Sequence, residues 1–482
     1  MPQQQTEFKR ELGLVSSIMI VVGSMIGSGI FIVSADISRN VGGGFYLLLV
    51  WLITGIVTMI AALSYGELAG MMPKAGGQYI YLKEAYGSLV GFLYGWTLFI
   101  VIQTGTIAAV GVAFAKFTSV LIPFFSEKNI LFEFFFLKIS AAQILAIVSI
   151  IILTYINLRG INDGKIVQNI FTFTKTFALF GIILLGIFFA SDEKSISINF
   201  SNFWNATKTT LNNGEIAVEN LFGISILSAI GVAMVGSLFS SDAWNNITFT
   251  AGEVVNPKKN IPRSLAIGTG IVTLLYILAN VAYMSILPIV GNPNSKDVFE
   301  QGIQFAQNDR VGIAAATKIF GNSAAIIMGI VLMISTFGCN NGLILSGARV
   351  YFAMAKDKLF FKQIGKLNKN SVPSTALIIQ SVWASVLCLS GTYGDLLDYV
   401  VFAVLLFYIL TIFGIFILRK KSPNIERPYI AFGYPIIPAI YILIATAICV
   451  NLLIFKPQYT YPGLLIVLSG IPIYFLWKKF SN

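Results

Sequence analysis

Long apolar runs separated by short polar segments make up most of this chain. Twelve runs lie at about residues 14–34, 44–70, 89–122, 139–157, 166–190, 222–249, 265–289, 319–347, 374–391, 396–418, 434–455 and 459–477. Each is close to the ~20 residues that an α-helix needs to cross the hydrocarbon core of a bilayer, although the ninth and twelfth are short. The pattern predicts an all-α membrane protein with about twelve transmembrane helices and both termini on one side.

The first apolar run is interrupted at residues 23–31, which read Gly-Ser-Met-Ile-Gly-Ser-Gly-Ile-Phe. A glycine inside a helix costs about 1 kcal/mol relative to alanine. Backbone groups freed at membrane depth are tolerated only where they line a cavity or meet a ligand. Secondary transporters build their substrate sites from such broken helices. We therefore expect a broken helix, whereas the alternative is a close helix crossing through small residues.

A second, similar interruption lies in the sixth apolar run. Residues 236–241 read Gly-Ser-Leu-Phe-Ser-Ser, and residues 23–28 read Gly-Ser-Met-Ile-Gly-Ser. The two copies are five spans apart, so the two halves of the chain would have opposite orientations in the membrane. Paired interruptions at corresponding positions of two halves are typical of a transporter's binding site.

Composition and charge agree with a membrane protein. Of the 482 residues, 56% are hydrophobic and 11% are charged, whereas soluble domains carry about 25% charged residues. With the N-terminus inside, 21 of the 32 Lys and Arg residues fall on inner segments and 10 on outer ones. This is the positive-inside pattern, and it predicts cytoplasmic termini. Because topology explains the net charge of +11, we expect no nucleic acid partner.

The residue inventory argues against an enzyme. The chain has no histidine, and its three cysteines, Cys339, Cys388 and Cys449, all lie within apolar runs. A membrane-embedded enzyme would need paired carboxylates, an activated nucleophile or metal ligands, so we expect no catalytic residue, no metal site and no cofactor. A channel would need a repeated filter or a ring of charge, and the sequence has neither.

Two charged residues, Lys175 and Asp242, lie well inside spans. A charge at mid-membrane costs at least about 2.5–3.5 kcal/mol, so such residues are functional by default. The alternative for Lys175 is a side chain that reaches toward the interface, but it lies about ten residues into its span.

Several motifs resemble the amino acid–polyamine–organocation superfamily, in particular the bacterial relatives of its L-amino acid transporter branch. The motifs are residues 23–31, Tyr65-Gly66-Glu67-Leu68, residues 72–79 (Met-Pro-Lys-Ala-Gly-Gly-Gln-Tyr), Asp242-Ala243-Trp244-Asn245, Asn341-Gly342 and Arg427-Pro428-Tyr429. The resemblance implies a leucine-transporter-like fold of two inverted five-helix repeats, two peripheral helices and alternating access to a central amino acid site.

The implied organisation divides the chain into six parts. We expect a cytoplasmic N-terminal segment at 1–12, the first repeat at 13–190, an extracellular loop at 191–221, the second repeat at 222–418, a cytoplasmic connector at 419–433, and the peripheral helices with a short cytoplasmic tail at 434–482.

The resemblance also implies roles for individual residues. Backbone N–H groups at the first break suit a substrate carboxylate, and released carbonyls suit its ammonium. Phe239 matches an aromatic residue that closes over the substrate, and Lys175 matches a lysine whose ammonium replaces a sodium ion. The expected substrate-binding residues are Met25, Ile26, Gly27, Ser28, Gly29, Phe239, Ser240, Ser241 and Asp242, with Lys175 as the coupling or structural cation.

Asp242 leaves the side-chain specificity open. It could pair with the distal cation of a cationic substrate, sit beside the α-ammonium, or pair internally without touching substrate. We expect sodium-independent amino acid exchange across the plasma membrane. The alternatives are proton-coupled symport of amino acids and transport of cationic amino acids or polyamines.

The outer loop at Pro123–Lys138 contains no cysteine. Some animal members of the resembled branch are disulfide-linked to a glycoprotein subunit through a cysteine in that loop. We therefore expect no disulfide-linked heavy chain, and we expect the lipid bilayer and a small-molecule substrate to be the partners.

Overall fold

The computed structural model describes residues 8–134, 137–212, 215–390 and 393–481, so the first seven residues of the predicted N-terminal segment lie outside it. Nine helical segments in these ranges are long and apolar enough to cross a membrane. Three shorter apolar helices, Leu14–Met25, Ile224–Ser240 and Ser374–Leu389, bring the correspondence with the predicted spans to twelve. The predicted all-α membrane fold is confirmed, and two of the three short helices are those predicted to break.

Eight α-helices lie in the part of the chain that was predicted as the first repeat, up to Phe188. They are α1 (Leu14–Met25), α2 (Ser34–Val41), α3 (Gly44–Met71), α4 (Gln78–Tyr86), α5 (Ser88–Thr97), α6 (Gln103–Leu121), α7 (Ala141–Leu158) and α8 (Ile161–Phe188). A π-helical turn at Leu98–Ile102 joins α5 to α6, so together they make the third span.

Two loops that were predicted to lie outside the cell contain one helix and two small hairpins. Strands β1 (Ile130–Phe134) and β2 (Leu137–Ser140) pair antiparallel before α7. The loop predicted at 191–221 contains α9 (Glu193–Ser201) and the antiparallel strands β3 (Thr207–Asn212) and β4 (Glu215–Asn220).

The remaining helices follow the second outer hairpin. They are α10 (Ile224–Ser240), α11 (Asn246–Phe249), α12 (Pro257–Ile286), α13 (Val298–Gln301), α14 (Val311–Phe320), α15 (Ala324–Lys356), α16 (Ser374–Ser390), α17 (Tyr393–Lys421), α18 (Ile436–Phe455) and α19 (Pro457–Ser481). Short 3₁₀ turns lie at Gly29–Phe31, Pro123–Phe125, Ala251–Glu253, Gln307–Asp309, Gly321–Ser323 and Lys362–Gly365.

Helix α15 lies at the centre of the bundle. All of its residues from Gly338 to Ala355 are buried, as is expected for a helix surrounded by other helices on every side. By contrast, α18 and α19 expose large apolar side chains such as Leu443, Leu465 and Phe475. That surface suits lipid contact and agrees with the predicted peripheral position of these two helices.

Two sets of buried ion pairs connect different helices near their ends. Arg349 of α15 and Glu253 form two hydrogen bonds of 2.9 and 2.8 Å, with both side chains 1% exposed. Glu67 of α3 is fully buried and lies 2.7 Å from Arg419 and 3.4 Å from Arg427. Glu67 and Glu253 are therefore ion-paired rather than solvated.

Candidate substrate site

The first helix break begins where α1 ends. Met25 is the last residue of α1, and Ile26 takes an extended conformation with φ −76° and ψ 97°. The chain resumes as a 3₁₀ turn at Gly29–Phe31 before α2. The N–H groups of Gly27 and Gly29 have no backbone acceptor within the described residues. They are therefore available to an anion, and Ser28 between them is buried.

The second break separates α10 from α11. Helix α10 ends at Ser240, and Ala243 takes the left-handed conformation with φ 64° before helix resumes at Asn246. Gly29 in the first break lies directly against Ser240, because a Cβ atom added to this glycine would be 2.0 Å from the Ser240 Oγ. The two breaks therefore lie side by side.

A tyrosine of α12 bridges the two breaks. The hydroxyl of Tyr276 lies 3.1 Å from the Met25 carbonyl oxygen and 3.0 Å from that of Ser240. Both carbonyls come from the last residue of a broken helix, where a helix has no internal donor for them. Tyr276 satisfies part of that deficit from a buried position.

Lys175 of α8 holds the first break against α15. Its Nζ donates to the carbonyl oxygens of Gly23 at 2.6 Å, Ile26 at 2.5 Å and Ser335 at 3.2 Å. Three N–H donors therefore meet three carbonyl acceptors, which is the full donor capacity of an ammonium. The Ser335 hydroxyl adds a 2.9 Å bond to the Gly27 carbonyl. The lysine is 1% exposed, so this cation is enclosed by protein.

Asp242 lies in the second break and accepts a hydrogen bond from Tyr408 of α17. The Tyr408 hydroxyl is 2.5 Å from Asp242 Oδ1. Three roles were considered for this aspartate, and the structure shows the internal pairing, with Tyr408 as the partner. No lysine or arginine makes a salt bridge with Asp242 in the part of the chain that the structure describes.

Two cavities flank the Asp242–Tyr408 pair, each of about 20 Å³. We call the one that Phe239 lines the first cavity; its walls are Val57, Thr58, Ala61, Leu238, Phe239, Ser241, Asp242, Trp244, Val401, Val404, Leu405, Tyr408 and Tyr441. The other, the second cavity, is lined by Gln78, Tyr94, Leu98, Ile102, Gln103, Thr106, Asp242, Ala243, Asn245, Asn246, Phe249, Leu343, Val404 and Tyr408. A volume of this size holds about one water molecule, so neither cavity has room for an amino acid in this conformation. No residue of the first break lines either cavity.

The remaining predicted site residues lie at the breaks but differ in their surroundings. The carbonyls of Met25 and Ile26, predicted to receive an ammonium, accept from Tyr276 and Lys175 here. Ser240 donates its hydroxyl back to the Gly236 carbonyl at 2.8 Å, which leaves Ser241 and Phe239 as the residues beside Asp242 that line the first cavity.

The structure adds three residues that sequence reasoning missed, namely Tyr276, Ser335 and Tyr408. Tyr276 and Tyr408 are two of 19 tyrosines, and nothing in their local sequence distinguishes them. Ser335 had a usable signal, because it begins a polar stretch, Ser335-Thr336 and Cys339-Asn340-Asn341, in an apolar span. Within the described residues, no group of three or more His, Cys, Asp or Glu side chains could hold a metal ion.

Comparison with known proteins extends over nearly the whole chain. Residues 12–476 match the amino acid permease family. The chain is 32% identical over 470 residues to the mouse "Large neutral amino acids transporter small subunit 2", covering 97% of this chain and 81% of that protein. It is 29% identical over 479 residues to the mouse "b(0,+)-type amino acid transporter 1", covering 99% and 89%. It is 28% identical over 482 residues to the "Serine/threonine exchanger SteT" of Bacillus subtilis, covering 99% of both chains.

Proposed function

The chain belongs to the amino acid permease family and is an amino acid transporter, and we propose that it is a sodium-independent exchanger. The transported amino acid binds where the breaks of α1 and α10 meet, next to the two cavities that residues of the second break line. The protein is a transporter and not an enzyme, as are its relatives.

The buried ammonium of Lys175 is the observation that carries sodium independence. It already occupies the carbonyl oxygens of Gly23, Ile26 and Ser335, which is the kind of oxygen cage that would otherwise hold a sodium ion between α1 and α15. A sodium ion at these oxygens would meet a like charge within hydrogen-bond distance. The fixed ammonium therefore supplies the positive charge, and transport does not depend on dissolved sodium.

The two breaks supply complementary groups for an amino acid backbone. The N–H groups of Gly27 and Gly29, near the start of the turn that leads into α2, suit a carboxylate. The carbonyls of Met25 and Ser240 suit an ammonium, because each carbonyl oxygen has a second lone pair beside the one used by Tyr276. The expected binding residues are unchanged from the sequence prediction, with Tyr276 added as a residue that positions both breaks.

Exchange is proposed because this chain is similar over nearly its whole length to a bacterial exchanger. One relative is named an exchanger, the bacterial serine/threonine protein, and its whole length aligns with this chain. Efflux of preloaded labelled substrate should then require an amino acid on the other side of the membrane. Efflux that follows a pH gradient without an outside amino acid would favour the proton-coupled symport instead.

The protein is proposed to work in the plasma membrane without a disulfide-linked subunit. All three cysteines are buried, on α15, α16 and α18, so none is available to an external partner. One relative is named a "small subunit", and that name describes the relative alone.

The test of the lysine is transport by purified protein in liposomes. Exchange in the wild type should be unchanged when choline replaces sodium. Lys175→Met keeps the length of the side chain and removes the ammonium, so it should lower the exchange rate by at least about tenfold, the worth of one hydrogen bond to a charged group. Lys116→Met, at the outer end of the third span, should transport normally and serves as the matched control. A wild-type protein that needs sodium would overturn the proposal.

A further inference from the structure

The Tyr408 hydroxyl donates a hydrogen bond to Asp242, whose carboxylate lines both cavities. Asp242, Val404 and Tyr408 are common to the two linings, so this pair forms the wall between them. Each cavity holds about one water molecule. A substrate side chain that reaches from one cavity into the other must therefore separate Tyr408 from Asp242.

Aromatic contacts hold Tyr408 in this position. Its ring centroid lies 5.1 Å from that of Trp244 and 5.8 Å from that of Tyr65. Trp244 is two residues after Asp242, on the segment that joins α10 to α11. The packing therefore couples the position of the hydroxyl to the conformation of the second break.

The second cavity contains polar groups that lack a partner. The Tyr94 hydroxyl and the Asn246 Nδ2 are buried and make no hydrogen bond within the described chain. Tyr94 is 2% and Asn246 is 1% exposed. Buried polar groups in proteins nearly always have partners, so these two indicate a ligand group or water that the cavity admits. The Asp242 carboxylate and the Tyr94 hydroxyl oxygen can accept hydrogen bonds from a cation that carries several N–H donors, whereas the Asn246 Nδ2 is itself a donor and suits a water or carbonyl oxygen.

We propose that Tyr408 is a specificity lock, whose hydroxyl caps the Asp242 carboxylate until a substrate with a cationic side chain takes its place. This inference rests on the amino acid transport proposed above. An amino acid with an apolar side chain places it in the first cavity and leaves the Asp242–Tyr408 bond intact. An amino acid with a distal ammonium or guanidinium breaks the bond, pairs with Asp242 and enters the second cavity toward the Tyr94 hydroxyl oxygen.

The lock makes a directional prediction about Tyr408→Phe. In the wild type, arginine or lysine must displace the Tyr408 hydroxyl from the Asp242 carboxylate before it can bind there, whereas leucine need not. Without the hydroxyl there is nothing to displace, so arginine and lysine should compete with a labelled neutral substrate at about tenfold lower concentration, and leucine should compete as before. The measurement is inhibition of exchange in liposomes by a panel of unlabelled amino acids.

Two further variants separate the lock from a general change in the site. In the Asp242→Asn background there is no carboxylate to free, so adding Tyr408→Phe should give no gain for arginine or lysine. Tyr283→Phe removes the hydroxyl of another buried tyrosine, one whose hydroxyl also lacks a partner in the described chain and which lines neither cavity. It should leave all competition curves unchanged.

Several outcomes would overturn the lock. Equal shifts for arginine and leucine, a gain that persists with Asp242→Asn, or no gain for arginine in Tyr408→Phe would each contradict it. If Tyr408→Phe does not purify as a monodisperse protein, Tyr408→Leu lacks the same hydroxyl and must show the same selective gain. A wild type that exchanges no amino acid contradicts the proposed function instead. The lock is then judged by whether Tyr408→Phe increases binding of labelled arginine to purified protein.

Discussion

Single polar side chains inside the membrane are used here mainly to satisfy backbone carbonyls that the helix breaks release. Lys175, Tyr276 and Ser335 each contact one or more such oxygens. The sequence identified Lys175 because an intramembrane charge is rare and costly. It did not identify the neutral partners, because a tyrosine or serine in a span is common and its partner comes from a distant helix. Tyr408 could not be identified for the same reason, because it lies 166 positions from its partner Asp242 in the chain.

The buried Arg349–Glu253 pair gives a prediction at the residue scale. Arg349→Met leaves the Glu253 carboxylate without its cation, and breaking one side of a buried pair costs about 3–5 kcal/mol of unfolding free energy. Combining Arg349→Met with Glu253→Leu removes both charges and should recover most of the loss. Chemical unfolding of purified protein in detergent measures both values.

The control for that pair is a surface ion pair with similar chemistry. Lys258 and Glu426 lie within 2.5 Å of each other but are 48% and 72% exposed, so solvent weakens their attraction. Lys258→Met should leave the unfolding free energy nearly unchanged. A single Arg349→Met variant as stable as the wild type would show that the buried carboxylate has another partner.

At the scale of elements, the sequence located both breaks but not the path of the chain through them. Glycine and serine at residues 23–29 predict that a helix ends there, because glycine weakens helix interiors. Where helix resumes depends on contacts with the second break. Gly29 lies against Ser240, and a 3₁₀ turn rather than α-helix follows it. No local propensity specifies that contact, since its two sides are 211 positions apart in the chain.

Close contact between the breaks predicts opposite outcomes for two neighbouring glycines. A Cβ atom at Gly29 would lie 2.0 Å from the Ser240 Oγ and 3.2 Å from its Cα, so Gly29→Ala must push the breaks apart and should cost about 1–3 kcal/mol of unfolding free energy. A Cβ atom at Gly27 would meet only the Cys339 Sγ at 3.6 Å, an ordinary contact. Gly27→Ala should therefore keep the wild-type stability, measured by the same unfolding assay.

The outcome that contradicts this steric account is equal stability of the two variants. Equal stability would mean that α2 and α10 can separate slightly without loss, which the buried position of Gly29 argues against. A Gly29→Ser variant should be at least as destabilised as Gly29→Ala, because its side chain is larger.

At the scale of the whole molecule, the number of spans and their apolar surfaces could be read from the sequence. Hydropathy depends on each segment's own composition, so twelve runs predicted twelve apolar helices. What could not be read is how their inner ends join, because those contacts connect residues far apart. The backbone at Leu12 pairs with Val254, and the Trp477 Nε1 donates to the Lys358 carbonyl at 3.0 Å. The segments at Leu12 and Trp477 thereby lie near two loops that carry several Lys and Arg residues.

The last prediction concerns which loops of the protein face the cytoplasm. The segments near both termini contact loops that are rich in Lys and Arg, and such loops stay on the cytoplasmic side. Lys362, on the loop between α15 and α16, should therefore face the cytoplasm, whereas Lys296, between α12 and α13, should face outward; both are exposed. In a background with the three buried cysteines replaced by alanine, a membrane-impermeant maleimide added to intact cells should label Lys296→Cys alone. After lysis it should label Lys362→Cys equally well, which shows that this site is reactive. Labelling of Lys362→Cys in intact cells, with Lys296→Cys protected, would mean that the chain has the opposite orientation in the membrane.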